Sequence, residues 1–367
     1  MTPTMTYFPA GPAAARARAR ADAPSPEPRP HGFLPERLPA QVLAGAWTDL
    51  DVLAHAAAAA RTPQDARLLV ERAGRAGELA VLRQRVGRLA PPRARAAAMR
   101  VAVIVAACGL SDLDPGVPVS RRYAHDDFLG LWASLAQRGE HERIVALPTL
   151  ALLNWAPRHK PQRARTTDQL ARGEVLVPIV RWSPSGHPLS RIDRLMLAAV
   201  RLEAQGIWLL RIAEGLAGRG PGDESVAMAL CRFTRVQHVL RRQLRTEEVK
   251  LAMAPTTAQQ RAVLVALADR GALEPPILLA ADTVLGIGGR AGSSSRQRLR
   301  RHLPAGDRCR LSALERDCAA LRTLAHRSGP EADAYREAQE SLIVLRRTYT
   351  ELVRTAVEPG PVRSLRP

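Results

Sequence analysis

Aromatic side chains make up only 4% of this 367-residue chain, and lysine is nearly missing, with Lys160 and Lys250 its only examples. So few aromatics leave little stock for a platform that stacks bases. With lysine so scarce, the formal net charge of +19 is almost all arginine, set in an Ala/Arg/Pro-rich background. Charge spread thinly over many segments predicts a solvated surface with a few anion sites, carboxylates included. The arginine clusters RRQLR and RQRLRR are short and isolated, which argues against nucleic acid as the partner. Four cysteines (Cys108, Cys231, Cys309, Cys318) have no CxxC spacing and fit neither a zinc site nor a disulfide framework, so a reducing cytoplasm is expected. The longest apolar run, 101–110, is far short of the ~20 residues that cross a bilayer. No apolar signal core follows the first residues. A soluble intracellular chain without a membrane partner is the expectation.

What the chain does have is helical periodicity. Strand-like alternation is confined to VLVPIVRWS, and apolar residues elsewhere recur at three- and four-residue spacing, as at Leu79, Leu82, Val86 and Leu89. The pattern predicts an all-α fold, with helices over 39–60, 64–73, 77–89, 94–109, 126–137 and 141–153. After a proline-rich stretch they resume over 190–217, 224–250, 258–268, 277–285, 310–326 and 335–357. The division expected is a disordered Arg/Ala/Pro-rich tail at 1–32, a small helical domain at 33–157 and an irregular linker at 158–189. A large helical domain at 190–358 and a short disordered tail at 359–367 complete it.

The final helix, YREAQESLIVLRRTYTELVRTAV, is the most informative stretch. Its apolar face (Leu342, Leu345, Leu352, Val353, Ala356) has one polar occupant, the phenol of Tyr349, with Arg346 one turn earlier on the same side. A lone hydrogen-bonding group in an apolar stripe requires a partner. That partner is either another protein group, such as a backbone carbonyl, or a metal.

Together with ILLAADTVLGIGGRAGSSSRQRLRRHLPAGDRCRLSALERDCAALRTLA at 277–325, this helix resembles indoleamine 2,3-dioxygenase and its relatives in the tryptophan dioxygenase superfamily. It is most similar to the bacterial branch typified by monodechloroaminopyrrolnitrin synthase. There a buried helix, a glycine-rich segment, an arginine-rich stretch, a long helix and a terminal helix with the haem's proximal histidine follow in order. The Asn154-Trp155 pair and the segment Gly32-Phe33-Leu34-Pro35 also resemble family features.

The resemblance implies a dioxygenase-like helical bundle holding haem b, and an oxidoreductase of secondary metabolism acting on tryptophan or a related aromatic amino acid. Tyr349 falls on the proximal histidine's position, and Arg346 matches the arginine that holds a haem propionate. A tyrosinate can serve as an axial haem ligand, provided its pKa, ordinarily about 10, is lowered by a cation such as Arg346. Gly288, Gly289, Gly292 and Ser293 would close over the haem edge, while Leu195 and Ala199 on the distal helix, which also matches an acidic residue at Glu203, would face the substrate.

Other candidates carry less. The glycine spacing GxGGxxG follows a helix and fits neither a dinucleotide fingerprint nor a P-loop. Of nine histidines none falls on the proximal position, and His238 and His302 are the alternatives for a rearranged pocket. Arg241, Arg242 and Arg245 are candidates for a substrate carboxylate. Two functions therefore stand side by side: a haem-dependent oxygenase or peroxygenase with Tyr349 on the iron, and a haem-free descendant that binds a small aromatic ligand or a protein.

Overall fold

The computed structural model describes residues 31–109, 126–140, 143, 145–159, 166–217, 219, 222, 224–287, 300, 303 and 305–358. Both expected tails, apart from His31 and Gly32, and the loop after 109 lie outside them. Among the described residues the architecture is all-α; its only strands are two of two residues each.

The first portion winds around one apolar helix. Helices α1 (Thr48–Ala58), α2 (Pro63–Arg75) and α3 (Glu78–Arg85) lead to α4 (Pro91–Ala107), followed by α5 (Asp126–Arg138) and α6 (Leu147–Leu152). Thr62 and Asp65 form a capping box at the start of α2, with Pro63 in its first turn. α4 is Ala/Val-rich and buried from Ala96 to Ala107 on every side, as a helix enclosed by neighbours must be. The one charge within that buried stretch, Arg100, donates to Asp51 at 2.7 Å and to the carbonyls of Ala40 and Gln41 at 2.9 and 3.1 Å.

The stretch expected to be irregular is partly ordered. It carries α7 (Thr167–Gly173), and β1 (Ala156–Pro157) pairs antiparallel with β2 (Leu176–Val177). Asn154 locks this segment down: its amide donates to the Val180 carbonyl at 3.0 Å and its oxygen accepts the Val180 N–H.

Three long helices organise the rest: α8 (Arg191–Leu216), α9 (Glu224–Ala252) and the last helix, while α10 (Ala258–Asp269), α11 (Pro276–Leu285) and α12 (Ala305–Asp317) fill in beside them. The last, α13 (Pro330–Val357), packs most extensively against α9, and α9 in turn against α8. α8 begins at a buried capping box in which the Asp193 carboxylate accepts from Ser190, Ser183 and the Trp182 N–H. The first and last portions share one continuous apolar core. The N–H of Leu147 donates to Ala272 at 2.7 Å, and Gln259 donates to the carbonyl of Ala107 at 3.1 Å, tying them further.

Candidate functional site

The apolar stripe of α13 is as its spacing predicts: Leu342, Leu345, Leu352 and Ala356 are fully buried and Tyr349 is 6% exposed among them. The Tyr349 hydroxyl donates to the backbone carbonyl of Leu273, in the turn between α10 and α11. Burial pushes its pKa well above the ordinary phenol value, and the nearby carboxyls of Glu274 and Glu203 push it further in the same direction. Arg346 is also committed. Its guanidinium donates through Nε to Asp282 at 2.7 Å and through Nη2 to both Asp282 and Glu274. Burial lowers its pKa, but the two carboxylates outweigh that and hold the group above its ordinary value.

These residues do not fit a haem iron at Tyr349. The phenol is neutral, its proton is directed at a carbonyl, and two carboxylates already answer the one guanidinium expected to support a phenolate or a propionate. The tyrosine is a core residue satisfied by backbone, the alternative its position on the stripe left open.

Glu203, on the α8 side of this cluster, is 1% exposed. Its Oε1 accepts the N–H of Ile277 at 2.9 Å, in the first turn of α11, where orphan N–H groups need acceptors. Among the described residues its Oε2 has no hydrogen-bond partner. Burial is the main cause of a pKa pushed up to about 8; Asp307 adds to it and the Ile277 hydrogen bond opposes it. One turn on, a Cβ at Gly206 would lie 2.3 Å from Cγ1 of Ile277, so only glycine allows α8 and α11 to come this close.

The other expected residues divide. Leu195 and Ala199 are buried on α8, 1% and 2% exposed, as ordinary core. Gly288, Gly289, Gly292, Ser293 and His302 lie outside the described residues. The described start of the glycine-rich segment has a structural job: Gly286 ends α11 in the left-handed conformation (φ 65°), its N–H returning to the carbonyl of Asp282. His238, an alternative for a rearranged pocket, is exposed, as are Arg242 and Arg245, and Arg241 is half-buried. Among the described residues no group of three His, Cys, Asp or Glu side chains is arranged to hold a metal ion.

A second feature was not anticipated. Trp208, Gln205, Arg172, Arg235, Val236, Val239 and Leu240 line an open cleft of about 300 Å³ between α7, α8 and α9. Trp208 is 46% exposed, whereas Trp132, Trp155 and Trp182 are fully buried. The Arg211 guanidinium lies 4.7 Å from the Trp208 ring centroid, a cation–π contact. Arg172 is neutralised by Asp168 at 2.6 Å. The one signal in the sequence was a tryptophan at a polar position of α8 in an aromatic-poor chain. Compared with known proteins, the chain matches no family model, and no curated protein matches it either.

Proposed function

We propose that this chain is a haem-free relative of the tryptophan dioxygenase superfamily that binds a small aromatic ligand without redox catalysis. One observation carries this reading: the Tyr349 hydroxyl, at the position of the proximal ligand, is buried, protonated and donated to the Leu273 carbonyl. A phenol becomes an iron ligand by losing its proton, and here burial and two carboxyls oppose that loss. The Arg346–Asp282–Glu274 cluster supports the same reading, because binding a propionate there means breaking a charge-assisted network. Leu195 and Ala199 then serve as packing between helices. An open apolar cleft remains on the outer side of α8 to receive a ligand.

Titrating the purified chain with haemin tests this. The expected result is no stoichiometric Soret band beyond the weak, non-saturating absorption of loosely associated haemin, and the same spectrum from Tyr349→Phe. A one-to-one Soret band that Tyr349→Phe abolishes would overturn the proposal and restore the oxygenase.

A further inference from the structure

We infer that the outer face of α9 lies against an anionic membrane surface, its arginines on the lipid headgroups and its exposed apolar tips in the interface. The inference goes beyond the ligand reading and does not depend on it. Counting from Met228 in steps of four and three gives Arg232, Arg235, Val239 and Arg242, and the same steps lead through Thr246 to Val249 and Met253. Every one of these positions is exposed. Such spacing follows one side of a helix with little drift, so they form a single row roughly 40 Å long, ending one residue past α9. No described helix is long and apolar enough to cross a bilayer, but lying on one requires no such helix.

Two features separate this row from an ordinary solvated face. The first is charge of one sign. From 225 to 246 the chain has five arginines and no Asp or Glu. Arg232, Arg235, Arg242 and Arg245 are exposed, and none forms an ion pair among the described residues. The next acid, Glu247, is buried and already taken by Arg201 and Lys250 at 2.7 and 2.8 Å. α13 is the contrast: its exposed side mixes both signs and pairs Arg336 with Asp333 and Arg354 with Glu358. The second feature is apolar. Eleven large hydrophobics are exposed among the described residues, and four of them (Met228, Val239, Val249, Met253) stand in this one row. A fifth, Trp208, shares its cleft with Arg235 and Val239. Single exposed hydrophobics are normal, but a concentration of them marks a contact surface. A bilayer with anionic lipids answers both features at once. Arginines pair with its phosphates, while Met, Val and Trp settle where headgroups meet acyl chains. Nucleic acid would answer only the arginines. A second copy of the chain would set arginine against arginine.

The test is flotation of the full chain with vesicles of equal parts phosphatidylglycerol and phosphatidylcholine, compared with phosphatidylcholine alone. Binding to the anionic vesicles only is expected, weakening as salt is raised. Arg235→Gln combined with Arg242→Gln should weaken it roughly 10-fold or more. Arg72→Gln combined with Arg75→Gln, the same loss of charge at exposed positions of α2, should change it little. Vesicles with brominated acyl chains should quench the tryptophan emission, and Trp208→Phe should remove that quenching, because the other four tryptophans are buried. No binding to anionic vesicles, no quenching, or binding that the α9 pair weakens no more than the α2 pair would overturn the inference; the last is what attraction by charge elsewhere in the chain would give. Retention on duplex DNA or polyglutamate by a chain that ignores vesicles would overturn it too, in favour of a nucleic acid or an acidic protein. The quenching of the unsubstituted chain needs no change on α9, so it decides the matter even where an arginine variant fails to fold.

Discussion

Glu203 holds a proton that the unfolded chain has already released, because burial makes its charged form costly. Its pKa is about 8 in the fold against an ordinary 4.5. Between these values the native state binds the extra proton, so stability falls as pH rises. The contribution is greatest below about pH 4.5 and fully lost above about pH 8. The slope is at most about 1.4 kcal/mol per pH unit. Thermal melts across this window should show Tm decreasing with pH, and Glu203→Gln should flatten that decrease; an unchanged slope would assign it to another group. Tyr349→Phe should cost about 1–3 kcal/mol in a denaturant titration, since it leaves the buried Leu273 carbonyl without its donor. At this scale the sequence was half legible. It showed that Tyr349 needs a partner. Pairing Asp282 with Arg346, 64 residues later, required the fold.

Among the elements, the contact between α8 and α11 depends on Gly206. Gly206→Ala should destabilise by about 1–3 kcal/mol through overpacking against Ile277. In an Ile277→Ala background, where the clashing atom is gone, the same change should cost much less; additive losses in such a double-mutant cycle would sink the close-approach argument. Long periodic helices were readable from spacing alone, α8, α9 and α13 within a few residues. The 39–60 stretch was not: its first residues are non-helical because Arg100 takes the carbonyls of Ala40 and Gln41 and Asp51 takes the N–H of Leu43. Side chains distant in sequence satisfy backbone that a helix would otherwise satisfy. α7 was missed for the opposite reason. It has seven residues, too few to show a period, and its signal is the capping box of Thr166 and Gln169.

Across the molecule, part of the arginine excess is internal. Arg100, Arg191, Arg310 and Arg346 each tie separate segments together through carboxylates or carbonyls, a use that composition cannot distinguish from a solvated surface. Arg310, for example, joins Glu214 on α8 to the Gly32 carbonyl at 3.2 Å, anchoring the first described residues. Arg100→Met should cost about 3 kcal/mol or more by chemical denaturation, because Asp51 is left buried without its cation. Pairing the substitution with Asp51→Asn should recover part of that loss. Arg191, in the first turn of α8, donates to the carbonyls of Ala254, Thr355 and Glu358, so one guanidinium closes the ends of both α9 and α13. Two helix tails fastened by a single side chain should loosen together: in deuterium exchange their terminal amides should open at one shared rate, and Arg191→Met should quicken both.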